Sequence, residues 1–425
     1  MAKKYVIQGQ KILKGEIEIN GAKNAALPAI CATLLAPGEH KLKRVPRVRD
    51  VFCMLKIMKH LGAEVIFENS TLKIDTSKIN KYTVPYELAS QIRASVLFLG
   101  ALVGITKEAE VPQPGGCSIG KRPIDLHIKG LELLGSEITL VHGNLIVKNS
   151  GLRGCEIVLD FPSVTATENL MMAAALAEGE TIIRNCAKEP EVFFLGEMLK
   201  KMGVKIKGHG TDTIVIKGKK KLHPVEIEVI PDRIEAGTYM VISALFEENE
   251  VVLKNFCVEY LETPILKLKE IGAEFEKVGK KSFIVKKKPP LKNTKIVTAP
   301  YPGFPTDLQP IFAVLLTQAN GVSIITENLF ENRFLYVYEL NRMGAKIDVE
   351  NRTAVITGPT KLVGSPVKAT DLRAGAALVI AGLLAENTTT VYEVELIERG
   401  YESIVEKLKK VGAEIEVVEG GIEDS

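Results

Sequence analysis

The chain has 425 residues, a formal charge of +3, 46% hydrophobic and 25% charged residues, a globular composition too long for one ordinary core. The start runs from Met-Ala-Lys-Lys straight into YVIQGQ, and the longest apolar runs, such as 94–105, fall short of the roughly 20 residues of a membrane helix, so a cytoplasmic, non-membrane protein is expected. Six scattered cysteines (Cys31, Cys53, Cys117, Cys155, Cys186, Cys257) without a C-x-x-C argue against zinc and disulfide frameworks, and near-neutral charge with no Trp argues against a nucleic-acid partner.

A short strand, GEIEIN, comes first, followed by AALPAICATLLAPG, a helix apolar on nearly all sides and therefore buried on all sides. An amphipathic helix follows, with Val51, Met54, Leu55, Met58 and Leu61 on one face, and ends at the glycine of HLGAEVIF. The same succession returns through ASVLFLGALVG and LLGSEITL, NLMMAAALAEG and KMGVKIKG, GTYMVISALFEE and EIGAEFEK, LQPIFAVLLTQANG and RMGAKIDV, and AGAALVIAGLLAEN and KVGAEIEV. Gly62, Gly135, Gly203, Gly272, Gly344 and Gly412 thus mark six units of about 70 residues. Each glycine is expected to end its helix with positive φ and turn the chain into a strand.

Each unit reads strand, buried helix, strand, amphipathic helix, strand, strand. The pattern predicts an α/β (α+β) protein of two domains, three units in each, with helices inside and sheets outside. GEIEIN resembles VEIEVI before Pro231, so each opens a new set of three units. The N-terminal segment is then expected to join the C-terminal half, with crossings near Asn20 and Ile230. The expected domains are 22–230, carrying a loop at 112–123, and 1–21 plus 231–425.

Residues foreign to a core gather at the starts of the buried helices: Lys23 and Asn24, Arg93 and Ser95, Ser163 and Thr165, Asp232, Arg233 and Glu235, Thr306 and Asp307, Asp371 and Arg373. Ser163, Thr306 and Asp371 suit helix caps. Lys23, Arg93, Arg233 and Arg373 oppose the helix dipole and call for an anion, either a phosphate-bearing ligand or internal carboxylates such as Asp232 or Asp371. A second set opens the amphipathic helices: Arg49–Asp50, Glu189 and Glu191, Glu262, the run Phe330–Arg333, and the run Glu398–Tyr401. With them stands the loop PGGCSIGKRPIDLHIKG, where Cys117 is either a reactive thiol or a small hydrophobe in a turn. At equivalent places in the repeat, these residues could line a cleft between the domains.

The motifs NGAKNAALP, PGGCSIGKRPIDLHIKGLELLG, EGETIIRNCAKEPE, PDRIEAGT, FPTDLQ, LFENRF, ATDLRAGAALVIAG and ERGYESIVEKLKKVGAEI resemble, from end to end, those of the enolpyruvyl transferase family, and within it the UDP-N-acetylglucosamine 1-carboxyvinyltransferases. The resemblance implies a two-domain inside-out α/β barrel with its active site in the interdomain cleft. It also implies transfer of the enolpyruvyl group of phosphoenolpyruvate to the 3′-hydroxyl of UDP-N-acetylglucosamine. Phosphate leaves through a tetrahedral ketal, with no metal or organic cofactor, in the first committed step of peptidoglycan precursor synthesis.

By the same resemblance Cys117 is the proton donor to C3 and able to form a covalent adduct, with Lys121 and Arg122 lowering its pKa. Asp307 matches the candidate base at the sugar hydroxyl, and Lys23 the phosphoenolpyruvate-site lysine with Asn24 beside it. Arg122 and Arg399 would hold the phosphate, Arg373 the carboxylate, and Arg93 would lie nearby. The nucleotide sugar falls to Arg93, Arg122, Pro123, Ile124, Asp125, Leu126, Ser163, Val164, Asp307 and Leu329. His127, Asp50, Arg333, Asp371 and Glu191 are supporting candidates, with a core histidine the alternative for His127.

Two departures stand out: Phe161 and Pro162 replace a lysine that touches the nucleotide in some members, and Phe193–Leu195 replaces more polar residues near Glu191. The rivals are the sister 3-phosphoshikimate 1-carboxyvinyltransferases, which should lack the PGGC cysteine, a DNA clamp, which should carry a basic inner stripe, and a non-catalytic regulatory paralogue. Both substrates are small molecules; competitive retention of product is left open, and the sequence assigns no oligomeric state.

Overall fold

The computed structural model describes residues 3–115, 119–120 and 123–420. They form two compact units, a middle unit of 21–115 and 123–230, and a terminal unit of 3–20, 119–120 and 231–420. Each has its own hydrophobic core; that of the terminal unit includes Tyr5, Ile7, Leu13, Ile17 and Ile19 from the N-terminal strands.

Three apolar helices fill each unit: Lys23–Ala32, Leu97–Ile105 and Val164–Ala174 in the middle one, Arg233–Ser243, Gln309–Leu316 and Leu372–Leu384 in the terminal one. Every residue of Gln309–Leu316 is buried, as is Arg373 through Leu384, which is what apolarity on all sides requires. Three sheets per unit flank these helices, four-stranded except for the three-stranded sheet of Glu108–Pro112, Ser136–Val141 and Asn144–Asn149. Each unit is thus an α/β barrel turned inside out, helices within and sheets without.

The repeat is visible in hydrogen bonding. Glu156–Val158 pairs in parallel with Glu180–Arg184 across the helix between them, as do Lys295–Val297 with Gly321–Thr326 and Pro366–Lys368 with Thr388–Tyr392. In the unit of Leu97–Ile105 the first strand shrinks to a bridge between Thr83 and Glu110. The two remaining units exchange first strands. Lys14–Glu18 pairs with Glu250–Lys254 in the terminal unit, and Glu226–Glu228 pairs with Glu39–Lys43 in the middle unit. That exchange is the physical counterpart of the likeness between GEIEIN and VEIEVI.

All six repeat glycines have positive φ, from 96° at Gly344 to 117° at Gly272. The left-handed turn releases each amphipathic helix into its strand, as expected. On the amphipathic helix Arg49–Leu61, Val51, Met54, Leu55, Met58 and Leu61 are buried while Lys56, Lys59 and His60 face outward. The crossings are held differently. Glu235, buried on Arg233–Ser243, accepts from the Asn20 N–H at 2.7 Å and from Lys407 Nζ at 2.6 Å. At Gly21 a Cβ would lie 1.8 Å from the Arg44 carbonyl oxygen, so only glycine fits this approach to the helix that begins at Lys23. Among the described residues no helix is long and apolar enough to cross a membrane.

Candidate active site

In the middle unit, Lys23 is the first residue of its helix and its Nζ lies 3.2 Å from Asp50 Oδ2. Asp50 is buried at the second position of Arg49–Leu61. A carboxylate from the neighbouring amphipathic helix thus supplies Lys23 with an anion inside the middle unit. Asn24 follows, half-buried. Arg93 opens the short 3-10 helix Arg93–Val96 and reaches the Pro123 carbonyl with Nη2 at 3.5 Å. Beyond it Ile124 is buried, Leu126 half-buried, and Asp125 exposed at the first position of Asp125–Leu133.

Ser163 caps Val164–Ala174, accepting from the Ala166 N–H at 3.4 Å, as its residue type predicts. His127 is 1% exposed, with Nε2 3.1 Å from Thr165 Oγ1, so it ties Asp125–Leu133 to Val164–Ala174 as a core histidine does. Phe161 is exposed beside half-buried Pro162. Phe194 and Leu195 are buried, whereas Phe193 stacks on His209 with ring centroids 5.1 Å apart. Glu189 and Glu191 are buried at the start of Pro190–Lys201, together with Glu168 from Val164–Ala174. Burial, then the charges of Glu191 and Glu189, push the Glu168 carboxyl well above the usual carboxylate range. Cys117, Lys121 and Arg122 lie outside the described residues.

In the terminal unit Asp307 is the centre of a charge cluster. Its Oδ1 accepts from Arg333 Nη2 at 2.9 Å; its Oδ2 accepts from Arg373 Nε at 3.1 Å and lies 3.0 Å from Arg373 Nη2. Both arginines are essentially buried, at 2% and 3% exposure, while the Asp307 side chain is 28% exposed. Asp371 caps Leu372–Leu384 through the Arg373 and Ala374 N–H groups and also lies 3.7 Å from Arg333 Nη1. Two guanidiniums and two carboxylates balance formally, and Asp307 is the member water reaches. Burial pulls the Arg373 guanidinium down, but Tyr401, Asp307 and Asp232 outweigh it and its pKa is raised.

One expectation needs correction. Thr306 is not a cap: Pro305 precedes the 3-10 turn Thr306–Leu308, and Thr306 Oγ1 donates instead to Glu327 Oε2 at 2.8 Å. Beside it both Asp307 oxygens accept from arginines. Glu327, which sequence reasoning missed, is fully buried, and its Oε1 accepts from Thr298 Oγ1 and from the Leu329 and Phe330 N–H groups. It thereby joins the Asp307 turn to the segment holding Leu329; an acidic residue closing the apolar run VSIIT was its only signal. Asp232 caps Arg233–Ser243, Arg233 lies over the Tyr301 ring at 5.6 Å, and half-buried Arg399 closes the 3-10 helix Val394–Arg399.

Helices enclosed by sheets twice over, with basic and acidic side chains at the helix starts, define the class. The solved enolpyruvyl transferase NikO from Streptomyces tendae superposes with a TM-score of 0.89 at 25% identity, covering 98% of this chain and 99% of that one. An EPSP synthase from Acinetobacter baumannii shares the fold at a TM-score of 0.75 and 21% identity, over 99% and 100% of the two chains. A family model described as EPSP synthase (3-phosphoshikimate 1-carboxyvinyltransferase) matches residues 7–408.

The curated relatives are more specific. UDP-N-acetylglucosamine 1-carboxyvinyltransferase 2 of Carboxydothermus hydrogenoformans is 50% identical over 416 residues, 98% of this chain and 99% of that one. The UDP-N-acetylglucosamine 1-carboxyvinyltransferase of Desulfatibacillum aliphaticivorans is 47% identical over 412 residues, covering 97% and 99%. This chain belongs to the UDP-N-acetylglucosamine 1-carboxyvinyltransferase family.

Proposed function

We propose that the chain transfers the enolpyruvyl group of phosphoenolpyruvate to the 3′-hydroxyl of UDP-N-acetylglucosamine with release of phosphate, as a cytoplasmic enzyme of peptidoglycan precursor synthesis. The observation that carries this reading is near-half identity, over almost the full length, to relatives bearing that name. The family model named for EPSP synthase supports a second reading with shikimate 3-phosphate as acceptor. The solved EPSP synthases are only 21% identical, however, and speak for the fold alone.

In the addition step the sugar oxygen bonds to C2 of phosphoenolpyruvate and loses its proton, while C3 gains one; elimination then removes a C3 proton and phosphate. Asp307 is assigned the hydroxyl proton and Cys117 the proton to C3. Lys23, Asn24, Arg122 and Arg399 hold the phosphate-bearing end, and Arg373 the carboxylate. Arg93 and the segment Arg122–Leu126 take the nucleotide sugar with Ser163, Val164 and Leu329. Asp50, His127, Arg333 and Asp371 support these groups: Asp50 orients Lys23, and Arg333 orients Asp307. Preorganised cations of this kind stabilise charge developing on a leaving phosphate without reorganising at the moment of reaction.

Phosphate release with phosphoenolpyruvate and either acceptor tests the assignment. Release with UDP-N-acetylglucosamine and none with shikimate 3-phosphate is expected; the reverse pattern selects the second reading, and no release from folded protein overturns both. In the same assay Cys117→Ser is expected to lose about 10²-fold or more in turnover at neutral pH, and unchanged turnover would remove Cys117 from the proton transfer.

A further inference from the structure

The guanidinium of Arg373 is fixed by more than its carboxylate. Nε and Nη2 meet Asp307 Oδ2, while one face lies over the Tyr401 ring, 5.1 Å from guanidinium carbon to ring centroid. Cation–π contact of this kind sets the plane of the fork as well as holding its charge. Tyr401 is itself buried, with its hydroxyl 2.8 Å from Thr238 Oγ1. The direction of that bond follows from the other one Thr238 makes. Its single hydroxyl proton goes to the Ile234 carbonyl at 2.8 Å, so Oγ1 can only accept, and Tyr401 donates. The hydroxyl thus tethers the ring to Thr238, and it is the ring face that meets Arg373. With Nε and Nη2 committed to Asp307, Nη1 is buried and makes no hydrogen bond to any described residue.

We propose that Tyr401, oriented by Thr238, is a positioning residue that holds the Arg373 fork so that Nη1 faces an incoming substrate carboxylate while Asp307 keeps the opposite edge. The proposal deepens, and rests on, the reading of Arg373 as the partner of the phosphoenolpyruvate carboxylate. Asp307 is held independently by Arg333 through Oδ1, so the tyrosine sets the carboxylate clamp and leaves the sugar-hydroxyl base in place.

Tyr401→Phe keeps the ring and removes only the oxygen. In steady-state assays of the full chain its KM for phosphoenolpyruvate is expected to rise by roughly three- to tenfold, the size of the lost neutral hydrogen bond that tethers the ring to Thr238. Its KM for UDP-N-acetylglucosamine and its urea midpoint should stay near wild type. Thr238→Val should shift the same KM in the same direction, and Thr238→Ser, which keeps the hydroxyl, should restore it. Arg373→Lys separates the two levels of the argument. If it leaves the phosphoenolpyruvate KM unchanged, the reading of Arg373 falls and the proposal with it. If Arg373→Lys raises that KM but Tyr401→Phe does not, the positioning role alone is overturned. A Tyr401→Phe enzyme with both KM values raised and a lowered urea midpoint also overturns it, since that is the mark of a merely structural residue.

Discussion

Asp307→Asn is expected to lower turnover by about 10²- to 10⁴-fold, the range for losing a positioned acid or base. The substitution preserves shape but replaces one oxygen by an amide NH₂. Whichever way the amide turns, that NH₂ faces a guanidinium, either Arg333 Nη2 on the Oδ1 side or Arg373 on the Oδ2 side. Two donors then meet, and two buried arginines share one neutral oxygen. Removing one partner of a fully buried ion pair costs about 3–5 kcal/mol; the 28% exposure of Asp307 admits water and should reduce this to about 2 kcal/mol. Initial rates of phosphate release and a urea titration measure the two effects separately. A variant that keeps wild-type turnover would remove Asp307 from the chemistry, whatever its stability.

The repeat was legible because it is written in backbone requirements. A left-handed C′ position admits glycine with least strain, so the six glycines could be read before any fold was known. The all-apolar helices were legible for a similar reason, since nothing polar along them asked for water. The pairings within the site were not legible. Lys23 and Asp50 are 27 residues apart, and Asp307 and Arg373 are 66 apart. Each had been singled out by residue type and place, yet which carboxylate meets which cation depends on helix packing, within one unit of the repeat for Lys23 and Asp50 and between two for Asp307 and Arg373. Asp371, only two residues from Arg373, caps its own helix and lies 3.7 Å from Arg333 Nη1, while Asp307 takes the Arg373 guanidinium. Thr306 was misassigned because its residue type suits a cap, while a buried Glu327 from the next strand competes for its hydroxyl. Glu168 and Tyr401 had a signal that went unused. A carboxyl on a helix buried all round, or a phenol in a motif beside Arg399, has to find a buried partner or carry a proton.

Glu168→Gln is expected to stabilise the middle unit at neutral and alkaline pH and to flatten its stability profile. Glu168 is fully buried on Val164–Ala174; Glu189 and Glu191 at the start of Pro190–Lys201 and Cys31 on Lys23–Ala32 contribute the facing titratable groups. Burial and the like charges raise its folded pKa, so the folded chain binds the proton more tightly than the unfolded chain does. The favourable linkage is complete below the ordinary glutamate range. It is lost as pH climbs from there toward the raised folded value, at up to about 1.4 kcal/mol per pH unit for one group. Glutamine keeps the volume, carries no charge at any pH, and offers an NH₂ to neighbouring carboxylates. Urea titrations of both proteins between pH 5 and about pH 9 should therefore diverge with rising pH, the variant gaining on the order of 1 kcal/mol or more by the alkaline end. Parallel curves would mean that Glu168 ionises in the fold as readily as in the unfolded chain. That outcome would place a stable anion on a helix buried on all sides, where a carboxylate keeps its charge only at a substantial cost.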